Sequence, residues 1–172
     1  MSLPPDSIEI GLVLERRKPV NPWAEHAWLP HAALAEAPAA AAWTPLGGND
    51  SAEQFYAGPA IIRFHRGETA NYRDNLATGA PKLWVALRPK GFDPPVEVVV
   101  VTADPAEGEA HTEAGSTVVD QLAMPENVAR ALAAYVAEHH VEQEFHKRQR
   151  KRYDPEQMAK RPGGRKGSED AQ

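Results

Sequence analysis

Residues 96–105 read Val-Glu-Val-Val-Val-Val-Thr-Ala-Asp-Pro, and this decade decides the fold. Six of its first seven positions are β-branched, so the stretch predicts a strand in the middle of a sheet, covered on both faces. Asp104-Pro105 then offers a capping carboxylate followed by proline at the first helical position. That sequence predicts a short helix to about Ala114, stopped by Gly115. Outward from this point the pattern is mostly strand. Ile8, Ile10, Leu12 and Leu14 alternate with Glu9, Gly11, Val13 and Glu15, as in a half-buried strand. Residues 28–34 predict a second strand, held to a sheet edge by Pro30. Residues 53–56 and 60–65 read as two strands joined at Gly58-Pro59. Arg66-Gly-Glu-Thr69 reads as a turn, and residues 71–76, 82–88 and 117–122 as three further strands.

One long helix closes the chain. Pro125-Glu126 suits its first turn. Val128, Ala131, Leu132, Tyr135 and Val136 form one apolar stripe that stops near Val141, and the helix is expected to run on to Arg150. Residues 37–42, rich in Ala and Pro, read as a surface loop. The expected fold is α+β: a single domain over residues 1–150, with a mostly antiparallel sheet of about six or seven strands, one short helix and one long C-terminal helix. Beyond Tyr153 the prolines and the Gly163-Gly164 pair predict a disordered basic tail over 151–172.

Charge divides along the 172 residues. Residues 147–172 carry nine Lys/Arg against four Asp/Glu, while the whole chain is −5. The acidic body argues against nucleic acid as a partner, because a dedicated binder presents a basic domain face. No apolar run approaches the roughly 20 residues of a membrane span. The N-terminus has no basic region followed by an apolar one, which points to the cytoplasm. With no cysteine, thiolate nucleophiles, Cys-ligated zinc, iron–sulfur clusters and a Cys persulfide relay are excluded. There is no Walker loop, no GxGxxG after a strand and no GxSxG elbow. Nothing in the sequence calls for a cofactor.

Three clusters carry the functional candidates. Trp23, His26 and Trp28 form an aromatic motif, read either as a recognition surface or as the cover of an open sheet end. In residues 64–75, Glu68 and Asp74 have the makings of an acid/base pair and Arg66 or Arg73 of an anion site. The bland reading is mutual pairing across a hairpin, with Tyr72 among them. His139, His140, Glu142, Glu144 and His146 place His140/Glu144 and Glu142/His146 at i,i+4. A helix would bring each pair to one face, as a metal site or as a solvated face with local pairing.

Glu15-Arg-Arg-Lys18 with Asn21-Pro-Trp23, Arg66-Gly-Glu-Thr69 with Tyr72-Arg73, Val101-Thr-Ala103, Met124-Pro-Glu126 and His139-His-Val-Glu142 with Lys147-Arg148 together resemble the proteobacterial domain of unknown function 3305 family. The resemblance covers about residues 8–150. It implies encoding beside formate dehydrogenase subunits and molybdenum-enzyme maturation genes, and it carries no catalytic residues over. Some members bear a label for molybdopterin-guanine dinucleotide biosynthesis. The first strand here runs into Glu15-Arg-Arg-Lys-Pro19, with no glycine to let backbone approach a phosphate, so that label finds no support in the residues. The gene company that the resemblance implies, the missing catalytic and nucleotide-loop signatures and the basic arm together point to a non-enzymatic accessory factor for formate dehydrogenase maturation or assembly, acting on a protein partner. Its expected contact residues are Trp23, His26, Trp28, Arg66, Glu68, Tyr72, Arg73, His139, His140, Glu142, Lys147 and Arg148. The alternative is a small metal binder or enzyme using the His139–His146 cluster or Glu68, Arg73 and Asp74.

Overall fold

A computed structural model describes residues 6–19, 21, 26–112 and 117–141. The expected tail, the end of the expected long helix, and Trp23, Glu142, Glu144, His146, Lys147 and Arg148 lie outside the described residues. Everything below concerns the compact unit formed by Met1–Val141.

The strands make two antiparallel sheets rather than one. In the first, β1 (Ser7–Arg17) lies between β2 (Ala27–Leu34) and β4 (Ala52–Arg63), and β3 (Thr44–Gly48) borders β4. The period-2 pattern of β1 delivers Ile10, Leu12 and Leu14 to the core. Its other face is also covered. A Cβ on Gly11 would lie 3.0 Å from the Pro38 ring and 3.1 Å from the Glu36 carbonyl, so the loop after β2 packs directly onto this glycine. β2 is an edge strand, as Pro30 requires. The two strands expected around Gly58-Pro59 are one. Leu12 pairs with Gly58 and Val13 with Tyr56, leaving Ala57 as the extra residue of a bulge. Gly58 takes a φ of +115°, which an L side chain rarely adopts, so the glycine permits a bulge where the sequence suggests a turn. β3 has no counterpart among the expected strands, since Thr-Pro-Leu-Gly-Gly lacks any alternation. It is tied to β4 by Asn49, whose Oδ1 accepts from the amides of Ser51 and Ala52.

The second sheet has the order β6-β5-β7, with β5 (Lys82–Pro89), β6 (Val96–Thr102) and β7 (Val118–Ala123). The Val-rich strand β6 is therefore an edge, and β5 is the strand covered on both faces, buried continuously from Leu83 to Leu87. The reversal follows from Trp84. Its side chain, opposite the Leu83/Val85/Leu87 face, is covered by the helix α2 (Pro105–Ala110), which begins with the predicted Asp104 cap.

Residues 71–76 are helical, not a strand. α1 (Thr69–Ala77) follows a 3-10 turn at Arg66–Glu68, and its buried face is Thr69, Tyr72 and Asn75 at steps of three. Two of those three are polar, so no hydrophobic period marks the helix. Asn75 fixes it: its Nδ2 donates to the carbonyls of Lys82 and Ala103, and its Oδ1 accepts from the Lys82 amide. α3 (Glu126–His139) has 14 residues and ends at His139, short of the expected Arg150. Its stripe buries Val128, Leu132 and Tyr135 in the same core cluster as the inward side chains of β1, β4 and β5. Burial of each such side chain is worth about 1.5–3 kcal/mol.

Candidate functional site

Two of the three predicted clusters meet. α1 and the end of α3 are about 70 residues apart in sequence, yet they share one seam. Phe64, Tyr72 and Tyr135 pack ring on ring beneath it, with centroids 6.1 and 5.3 Å from Phe64. The His139 ring stacks edge-on against Tyr135 at 4.4 Å. The Tyr72 hydroxyl accepts from the His65 amide at 3.1 Å, and the Tyr135 hydroxyl donates to the Phe64 carbonyl. Burial pushes the Tyr72 phenol up to about 12, so it stays neutral at neutral pH. Tyr135 is raised too, first by burial and then by Asp6, with Arg66 opposing.

The polar groups of the seam bond to one another. Asn71 donates to Glu68 at 3.1 Å and to Asp104 at 2.9 Å. Asp104 also accepts from the Ala106 amide, capping α2. Arg73 pairs with its neighbour Asp74 at 3.3 Å on the exposed face. The pairing that the sequence suggests for this stretch is thus within and between helices, not across a hairpin.

His140 closes the seam. It caps α3 with an extended ψ of 122°, and Glu144, its expected i,i+4 partner, lies outside the described residues. Its Nδ1 lies 3.1 Å from Thr69 Oγ1 and its Nε2 lies 3.1 Å from Arg73 Nη1. Thr69 Oγ1 donates to the Arg66 carbonyl, and Arg73 has no acceptor to offer. The network therefore assigns the proton to Nδ1 and the lone pair to Nε2. Among the described residues no three His, Asp or Glu side chains are grouped to hold a metal.

The third cluster lies elsewhere. His26 and Trp28, at the start of β2, line a groove of about 410 Å³ between the two sheets. Glu53, Arg16 and Trp28 are register partners across β4, β1 and β2, and their side chains form one row. Glu53 ion-pairs with Arg16. The Arg16 guanidinium lies 5.9 Å from the Trp28 ring and 5.4 Å from Phe55. That hydrogen bond holds the Glu53 carboxyl below its ordinary value. Trp28 also meets Trp43 edge-on at 5.6 Å and packs against the core. It therefore covers the sheet and lines the groove at once. Lys90, across the groove at the end of β5, escapes a reading by motif, because 74 residues separate it from Arg16.

No helix among the described residues is long and apolar enough to cross a membrane. The model of the family described as protein of unknown function (DUF3305) matches residues 9–149, and the chain belongs to that family. No curated protein and no solved structure matches it.

Proposed function

We propose that this DUF3305 member is a non-enzymatic accessory protein that acts in the cytoplasm, assisting maturation or assembly of a molybdenum-dependent formate dehydrogenase through contact with one of its subunits or maturation factors. One observation carries the reading. The side chains best suited to chemistry, Glu68, Arg73, Asp104 and His140, spend their hydrogen bonds on Asn71, Asp74, Ala106 and Thr69 or on one another. Asp104 is buried and anchors Asn71 from beneath, while Glu68, Arg73 and His140 stay partly exposed above it as a fixed polar surface, which suits specific docking. The absence of cysteine supports contact rather than sulfur transfer. The choice of formate dehydrogenase comes from the family resemblance.

Deletion of the gene tests the role in the source organism. Formate dehydrogenase activity should fall and return with the wild-type gene on a plasmid. Full activity in the deletion strain, with the enzyme normally loaded with its cofactor, would remove the proposal.

A further inference from the structure

We infer that the groove between the two sheets binds a small molecule with an apolar body and one anionic group. The volume of about 410 Å³ falls within the range of small-ligand pockets, and such pockets combine apolar walls with a few placed polar groups. Here the walls are Trp28, Leu29 and Val96, with Ala27 at the rim. Every charged or titratable side chain lining it among the described residues is basic: Arg16, His26 and Lys90. Among the described residues no Asp or Glu lines it, although the chain as a whole carries −5. An anion is therefore complemented at this spot and repelled over much of the rest.

The cations differ in their commitments. Arg16 is held by Glu53, Trp28 and Phe55, so its charge is largely matched. Lys90 makes no ion pair among the described residues, and its ammonium stands 4.7 Å from the Phe92 ring centre. Val118, a lining residue, is 37 % exposed, and Phe92, outside the lining but beside Lys90, is 67 % exposed. Large apolar side chains left open beside a cation with no carboxylate partner among the described residues match an amphipathic anion, with the apolar body against the Trp28 ring and the aliphatic wall and the charge at Lys90. A carboxylate, sulfonate or phosphate ester fits this description equally, because each offers acceptor oxygens to the ammonium.

The test uses the full-length chain and two fluorescent probes of similar shape: anilinonaphthalene sulfonate, which is anionic, and phenylnaphthylamine, which is neutral. The sulfonate should bind one saturable site, more tightly than the neutral probe. Lys90→Glu should weaken the sulfonate roughly tenfold, the scale of one charge contact, and leave the neutral probe unchanged. Lys90→Arg should retain sulfonate binding. Ala27 is exposed, so Ala27→Trp keeps the fold while filling the groove, and it should displace both probes. Equal response of the two probes to Lys90→Glu, or undiminished binding in Ala27→Trp, would overturn the inference. So would a concentration-dependent dimer in sedimentation that Ala27→Trp dissociates, since the occupant would then be a second copy of the chain. Failure here leaves the formate dehydrogenase role standing, because that role is read from cells lacking the gene.

Discussion

At Gly108 a single hydrogen atom decides whether α2 can lie on β5. A Cβ there would come within 2.4 Å of Trp84 Cγ and 2.5 Å of its Cβ. Because Trp84 Cβ is fixed to the strand backbone, rotation of the ring cannot relieve the clash. Alanine gains about 1 kcal/mol of helix propensity over glycine, while overpacking costs about 1–3 kcal/mol and strikes three atoms here. With the overpacking cost at the upper end of that range, Gly108→Ala should lower the unfolding free energy by about 1–2 kcal/mol, measured by urea titration. Gly67→Ala is the control: nothing lies within 4 Å of its added Cβ, and stability should change by less than about 0.5 kcal/mol. Single residues were also where the sequence was hardest to read. Asp104 announces its cap through the proline that follows. Asn75, which joins α1 to two strands, has no such signature, since its meaning lies in carbonyls that only the fold brings near.

Among the elements, those with an apolar period were legible and those without one were not. β1, β5 and the stripe of α3 follow from alternation or from steps of three and four. α1 hides its face behind Thr69 and Asn75, and β3 has no pattern at all. The Val run of β6 misled, because β-branched residues suit a half-buried edge strand as well as a covered one, and Val98, Val99 and Val100 are only half-buried here. The row across β4, β1 and β2 makes a prediction about pH. Glu53 is held below its ordinary 4.5 by Arg16, so the folded state releases that proton more readily than the unfolded chain. Its contribution is present above about pH 4.5 and fades as the pH falls through the lowered folded value. Glu53→Gln should flatten this part of the acid limb of a stability–pH curve and leave its slope above pH 6 unchanged. An identical acid limb in the variant would mean that solvent screens the pair completely.

For the molecule as a whole, two sheets and α3 enclose a core whose buried members, among the described residues, run from Ile10 to Tyr135. Removal of residues 149–172 should leave the melting temperature within about 2 °C of the intact chain, because Tyr153 and Met158 are the only large apolar side chains in that stretch of sequence. A larger fall would show that the basic run stabilises the folded unit. The candidate site was half legible. Arg66, Glu68, Tyr72, Arg73, His139 and His140 stand out by type, yet nothing in their spacing says that they meet in one seam. The groove was legible only through His26 and Trp28. The central claim is that this chain works by holding a formate dehydrogenase subunit or maturation factor. Its most direct test is affinity capture of the tagged, full-length protein, expressed at native level, from lysate of formate-grown cells, with bound proteins identified by mass spectrometry. The account predicts that a dehydrogenase subunit or maturation factor is retained through washing and is absent from the untagged control; recovery of neither in repeated captures, with the tagged protein able to restore activity to the deletion strain, would contradict it.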